Sequence, residues 1–315
     1  MTARPILELR ARVRARLRDL FDGLGFLEVD TPVLSTEVLP EPYIDPLAVP
    51  IPGGADRWLQ ASPEALMKRL LAAGSGPIYQ FARSFRAGEQ GRQHDLEFVL
   101  LEWYAPQATL ADTATLLERL CSVALGTTGL ERTTCSAAFG AAAGVDPLRA
   151  SLAEMEAAVE RAGICGPPPD PRAGTADRWD RAFEMLLTDV VQPRLGHGRP
   201  TMLEAWPPSQ AAFARVASEP PAARRFELFV GGVELANGWE EETSRDLLAD
   251  RIAATNRVRA ADGRRALPPP ARLIAAHGPG MPEGVGAALG FDRLVMIAAA
   301  ADSIDAVRCF RSADA

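Results

Sequence analysis

Lysine is nearly missing from this chain. Of its 34 basic residues only Lys68 is a lysine and the rest are arginine, a bias that the base composition of a GC-rich genome would produce. Cysteine is also scarce, and Cys121, Cys135, Cys165 and Cys309 have no paired spacing. That argues against a zinc site or a disulfide framework and leaves reduced core thiols as the expectation. No apolar run is long enough to span a bilayer and the N-terminus has no signal-peptide pattern, so the expected location is cytoplasmic. There is no basic surplus either. A net charge of −7 speaks against a broad nucleic-acid footprint, though not against a local basic patch. Gly284, Gly286 and Gly290 match neither the Rossmann nor the Walker spacing, so no dinucleotide or P-loop site follows from them.

What is present is an ordinary globular balance: 315 residues with 47% hydrophobic and 24% charged content, enough to bury a full core. Ile6, Leu9, Val13, Leu17, Leu20, Phe21 and Leu24 recur at helical spacing, which predicts an amphipathic helix ending near Gly23 or Gly25. Arg10, Arg14 and Arg18 repeat on another face, which reads either as a solvated surface or as a docking surface for an acidic partner. FLEVDTPVL (26–34) reads as a strand broken by Pro32, and the proline-rich 36–57 stretch as loop. In SPEALMKRLLAAGSG, Ser62 is suited to the N-cap, Pro63 to the first helical position and Gly74 to the C-terminal end. Glu64 in the first turn suits the helix dipole. Residues 108–200 read as a mainly helical insertion in one domain, with GPPPDP (166–171) as a loop.

Three stretches carry chemistry. RSFRAGEQGRQHDLEFVLLEWY (83–104) reads as strand, charged loop, strand. Alternation puts Glu102 on one face with Phe98, Leu100 and Tyr104, where an ionised carboxylate needs a partner: a bound amino group or an arginine elsewhere in the fold. FELFVGGVELANGWEEET (226–243) reads as a hairpin turning at Gly231–Gly232. That register sets Val230 opposite Val233, Phe229 opposite Glu234 and Glu227 opposite Ala236. Glu227 and Glu234 then share a face, as two solvated carboxylates or as a pair gripping Mg²⁺. In MPEGVGAALGFDRLVMIAAAA (281–301), Arg293 sits near the start of an apolar helix, against the dipole. A bound phosphate would offset that, and so would a salt bridge to Asp292 or another acid.

Taken together, these residues resemble the three motifs of the class II aminoacyl-tRNA synthetases, in order. Phe85–Arg86 and Glu89, His94, Glu97–Phe98 and the LEWY ending resemble motif 2 of the lysine subgroup, the helix, strand and Pro32 resemble motif 1, and the Arg293 block resembles motif 3. Within the subgroup the chain is most similar to the elongation factor P–lysine ligases. SQA (209–211) stands where lysyl-tRNA synthetases have SPLA, and Ala288 where they have glycine, a change tied to preferring β-lysine. The chain departs from the pattern in the loop. Ala87–Gly88 replace Asn–Glu, with Glu89 available as a substitute, Asp95 replaces Asn and Leu96 replaces Pro.

The resemblance implies an α+β fold, an antiparallel sheet flanked by helices, as a catalytic core without the anticodon-binding OB domain. It implies an ATP-dependent ligase that activates lysine or (R)-β-lysine as an adenylate and transfers it to a lysine side chain of elongation factor P. Arg86 and Arg293 would be the catalytic arginines. ATP would also meet Ala87, Gly88, Glu89, His94 and Asp95 from the loop, and Glu234, Leu235 and Gly290 from elsewhere. Glu227 and Glu234 would hold Mg²⁺. The amino acid would lie among Ser62, Pro63, Glu64, Glu102 and Tyr104, with Asn237, Trp239 and Ala288 nearby and Glu241 on its distal amine. A homodimer is implied and tRNA is not an expected partner. Scarcity of lysine would also spare such an enzyme from modifying itself. Two other readings remain open at this level: a free-standing enzyme acylating tRNA or another acceptor, and a catalytically silent regulatory paralogue.

Overall fold

The computed structural model describes residues 3–165, 174–311 and 314, so the loop expected at 166–171 lies outside the described residues. The chain gathers into two compact units. One comprises Met1–Thr109, Ser122–Gly126 and Glu241–Ala315, and the other Leu110–Cys121 and Thr127–Glu240. No helix among the described residues is long and apolar enough to cross a membrane.

In the first unit the central strands are Ile78–Phe85, Glu97–Pro106 and Gly284–Gly290, paired antiparallel. Leu27–Glu28 adds to Ile78–Tyr79 in parallel, an exception to the expected antiparallel sheet. The helix Arg4–Gly23 follows the hydrophobic spacing and buries Val13, Leu17, Leu20 and Phe21. Phe21 stacks on Tyr79 at 4.8 Å and tilts against Trp103 at 5.5 Å, which docks the helix on the sheet. Pro32 does interrupt the 26–34 stretch, leaving two-residue strands at Leu27–Glu28 and Leu34–Ser35. The stretch expected to be loop from 36 to 57 contributes Ala48–Val49 to a small sheet with Arg57–Leu59 and Leu34–Ser35, over a core of Val38, Trp58 and Leu267.

The arginine stripe is solvated only in part: Arg18 is exposed, while Arg10 and Arg14 are half-buried. Arg10 and Arg14 lie over the Phe291 ring, Arg14 and Arg18 over Phe81, and Arg10 also pairs with Asp292 at 2.7 Å. A guanidinium is weakly hydrated and stacks well on aromatic faces, so a cationic stripe can turn toward a sheet that offers rings and a carboxylate. Burial, and then the charges of Arg10, Arg18 and Arg83, depress the pKa of Arg14.

In the second unit Glu131–Thr134, Thr201–Trp206, Pro221–Val230 and Val233–Glu240 lie side by side, the first pair parallel and the others antiparallel. The helices Cys135–Ala143, Leu152–Arg161 and Thr175–Leu186 cover them. Their core is aromatic: Phe183 stacks on Phe139 at 4.8 Å and on Trp179 at 5.7 Å and meets Trp206 edge-on. The helix Thr175–Leu186 runs on into a π-helical turn over Leu187–Val191. Of the four thiols expected in the core only Cys121 and Cys135 are buried; Cys165 and Cys309 are exposed, and all four are free.

Candidate active site

The helix Glu64–Ala72 begins one residue later than its sequence suggests, with Pro63 in the cap position. Ser62 accepts from the Glu64 N–H at 3.0 Å, as a capping hydroxyl does, and donates its own proton to Glu102 Oε2 at 2.7 Å. The Tyr104 hydroxyl donates to Glu102 Oε1, also at 2.7 Å. Glu102 therefore meets two hydroxyls, and among the described residues no arginine pairs with it. Hydroxyls satisfy its oxygens without supplying charge. Burial, and then the nearby charge of Glu64, raise this carboxyl to about 8 against the pull of both hydrogen bonds and of Lys68. Burial and Glu102 likewise lift the Tyr104 phenol well above its usual range.

Glu64 faces inward with Met67, Lys68 and Leu71, the i, i+3, i+4, i+7 face of its helix. The Lys68 ammonium lies 2.6 Å from Glu64 Oε1 and 2.7 Å from Glu241 Oε2. Burial alone would lower the pKa of Lys68, but Glu241 and Glu64 outweigh it and hold the amine charged. Lys68 is a site residue that sequence reasoning overlooked, though Glu64–Lys68 at i,i+4 on an otherwise apolar face was a usable signal. Gly286 borders the same cluster. A Cβ there would stand 2.3 Å from Glu241 Oε1 and 2.4 Å from Tyr104 Cε1. Neither neighbour can retreat, because both are buried and Glu241 is tied to Lys68. Gly286→Ala is thus expected to destabilise the protein by about 1–3 kcal/mol, read as a lowered melting temperature. Ala288 completes the group, directly opposite Glu102 in the strand register.

The charged loop after Arg86 links two arginines of the first unit. At its start the Arg86 guanidinium lies over the Phe98 ring at 4.9 Å and 3.5 Å from Glu89, and its Nε is buried without a hydrogen-bond partner. At its end Arg293 donates to the Gln93 carbonyl at 3.2 Å and reaches His94 Nε2 at 2.5 Å. Asp292 is not the partner of Arg293: it takes Arg10 and the Val99 N–H instead. Gly290 caps the helix Phe291–Ala298 that carries Arg293. Ala87 donates to the Asp45 carbonyl at 2.8 Å, and Gly88 follows at φ +78°, a left-handed turn. Asp45 is itself held by Arg259, a 1% exposed guanidinium that also caps the Glu41 and Ile44 carbonyls. Asp95 accepts from the Leu96 N–H and from Arg308, which makes it an anchor for the C-terminal segment.

The hairpin of the second unit turns at Gly231 and Gly232, φ +57° and +76°, the pair of positive angles a tight two-residue turn demands. Val230 faces Val233 and Phe229 faces Glu234 as expected, but a bulge between Leu228 and Phe229 shifts the rest. Glu227 therefore stands opposite Asn237, not Ala236, because one extra residue enters the Val233–Glu240 strand. Arg225 ties this end together, donating to Glu227 Oε1 at 2.6 Å and to Asn237 Oδ1 at 3.2 Å and stacking on Trp206 at 4.1 Å. It too escaped sequence reasoning, although residues two apart on a strand share a face. Burial, and then Glu234, raise the Glu227 carboxyl to about 8 despite Arg225. Two carboxylates in mutual repulsion suit a divalent cation. No group of three or more acidic, His or Cys side chains capable of holding a metal occurs among the described residues. A carboxylate pair is a donor set compatible with Mg²⁺, which often takes one or two carboxylates together with substrate phosphates. Leu235 is buried, and Trp239 packs on the aromatic core and against Phe213.

A family model described as tRNA synthetases class II (D, K and N) matches residues 2–313. The chain is 38% identical over 307 residues to an elongation factor P–(R)-β-lysine ligase of Pectobacterium atrosepticum, covering 96% of this chain and 93% of that protein. Proteins of the same name from Salmonella gallinarum (36% over 312 residues, 97% and 94% covered) and Yersinia pestis (38% over 317 residues, 97% and 95% covered) are similarly close.

Proposed function

The chain belongs to the class II tRNA synthetases of the D, K and N type, and on that premise we propose that it is an ATP-dependent ligase joining lysine or (R)-β-lysine to a lysine side chain of elongation factor P. The observation that carries the substrate assignment is the buried acidic cluster Glu64, Glu102 and Glu241, an environment made to select an ammonium group.

The amino-acid carboxylate attacks the α-phosphorus of ATP, forming the acyl–phosphate bond as pyrophosphate leaves. The acceptor amine then attacks the acyl carbon, AMP departs and the amine gives up a proton, leaving an amide. Such displacements depend on positioning and on neutralising charge more than on a general base. Arg86 orients the amino-acid carboxylate against the α-phosphate, while Arg293 and His94 hold the outer phosphates. Glu227 and Glu234 would hold Mg²⁺, which supplies charge neutralisation for the phosphates. Glu241 takes the distal ammonium, and Glu64 and Glu102 line the rest of the amino-acid pocket. By family resemblance the enzyme is a cytoplasmic homodimer.

ATP–pyrophosphate exchange tests the first half-reaction. Exchange is expected with at least one lysine isomer, and label from that isomer is expected on purified elongation factor P and not on tRNA. Absence of exchange with both isomers would remove the proposal.

Glu102 makes binding pH-dependent. Its carboxyl, raised to about 8, is mostly protonated at pH 7 in the empty site, and an ammonium placed beside it expels that proton. Binding should therefore release up to about one proton, and affinity should climb, by at most about tenfold per unit, as pH rises from 6 toward 8. Calorimetry in buffers of different ionisation enthalpy reads the proton directly, and Glu102→Gln should abolish it. Without ligand the sign reverses. The folded state keeps a proton that the unfolded chain loses above the ordinary value of 4.5, so this contribution to stability is whole below that value and gone once pH passes about 8.

A further inference from the structure

Lys68 takes no part in the chemistry above, yet it is 2% exposed and bridges two carboxylates. An unpaired buried ammonium is strongly unfavourable, and a helix face shared with Met67 and Leu71 would pack equally well around an apolar side chain. The position needs a cation because of what surrounds it. Glu64 faces Lys68 from its own helix, Glu102, with Tyr104 on it, from the neighbouring strand, Glu241 from a segment whose N–H donates to the Gly284 carbonyl, and His277 from the end of the helix Ala271–Ala276. Burial, and then Lys68 itself, depress His277 to about 4, so that ring is neutral. Glu102 is mostly protonated at neutral pH and the Tyr104 phenol wholly so.

Resting on the reading that this site takes a lysine isomer, we propose that Lys68 is a specificity-determining positioning residue: its shared ammonium holds the Glu64 and Glu241 carboxylates side by side and directs Glu241 Oε1 toward Gly286, where the distal ammonium of the amino acid would meet it. Without that ammonium the two carboxylates repel, and one takes up a proton at neutral pH.

The experiment is the pH dependence of exchange kinetics for Lys68→Met and for the pair Lys68→Met with Glu64→Gln, which removes the carboxylate that would repel Glu241 once the ammonium is gone. For Lys68→Met the KM for the lysine isomer is expected to rise at least about tenfold at pH 7 and to fall back toward wild type at pH 9, as the carboxylate re-ionises. The KM for ATP should stay within about twofold. The double variant should recover much of the loss at pH 7. An unchanged amino-acid KM, a rise that is the same at pH 7 and pH 9, or a parallel rise for ATP would each overturn the inference, since packing alone would produce them. If Lys68→Met does not fold, the double variant decides. A folded double variant using lysine within about tenfold of wild type supports the charge argument, and one that fails to fold or ignores lysine refutes it. Failure of the wild-type protein to exchange with either isomer would remove the functional reading itself, and this inference with it. Normal wild-type exchange beside an unaffected Lys68→Met would sink this inference alone.

Discussion

Arg86→Ala and Arg293→Ala are each expected to cut lysine-dependent pyrophosphate exchange by about 10²–10³-fold, the usual cost of deleting one preorganised group that stabilises developing charge. The two arginines stand at opposite ends of the loop that carries Gln93 and His94. Among the described residues the Arg86 side chain makes a ring contact with Phe98 and a long contact with Glu89. Its removal should therefore change stability by no more than about 1 kcal/mol. Its fully buried Nε has no hydrogen-bond partner, a donor the protein leaves for something else. Arg86→Lys should recover little, because an ammonium cannot replace a planar fork against carboxylate and phosphate oxygens together. Single-turnover kinetics, paired with thermal melts, separates this from a folding defect. A full-speed Arg86→Ala enzyme would disprove the assignment.

Glu241→Gln should be nearly as damaging, but in a different quantity. The amide keeps the shape and loses the charge, so both the substrate ammonium and Lys68 lose a counter-ion in a dry site. Breaking a buried pair costs about 3–5 kcal/mol. Glu64 still holds Lys68 at 2.6 Å, which places the loss near the lower end. The result expected is a fall of about a hundredfold in kcat/KM for the lysine isomer, carried mainly by KM, with ATP binding intact by calorimetry. Equal losses for ATP and amino acid would show that the substitution had disturbed the fold and that Glu241 does not select the substrate.

Much of this was readable beforehand. The spacing from Ile6 to Leu24 defined a helix, alternation placed Glu102 and Tyr104 on one face, and two adjacent glycines announced a hairpin. Each is a local rule acting over a few residues. The failures are where distant neighbours decide. Arg10 and Arg14 looked solvated, as the exposed Arg18 is, because nothing in the helix itself reveals that Phe81 and Phe291 will lie beneath them. The hairpin register was correct for the two pairs nearest the turn and wrong beyond, since a bulge leaves no mark in composition. Nor could any local pattern show that Asp95 accepts from Arg308, 213 residues further along the chain.

By itself the order of residues determined the secondary elements, the family and the chemical types present: carboxylates, arginines and one lysine. It could do so because periodicity, turn preference and motif spacing all act along the chain. Only the tertiary structure decided which of those charges meet. Glu64 and Lys68 are four apart, but Glu241 joins them from far downstream. Whether a buried carboxyl is charged, neutral or paired depends on the groups that folding brings within a few ångströms of it.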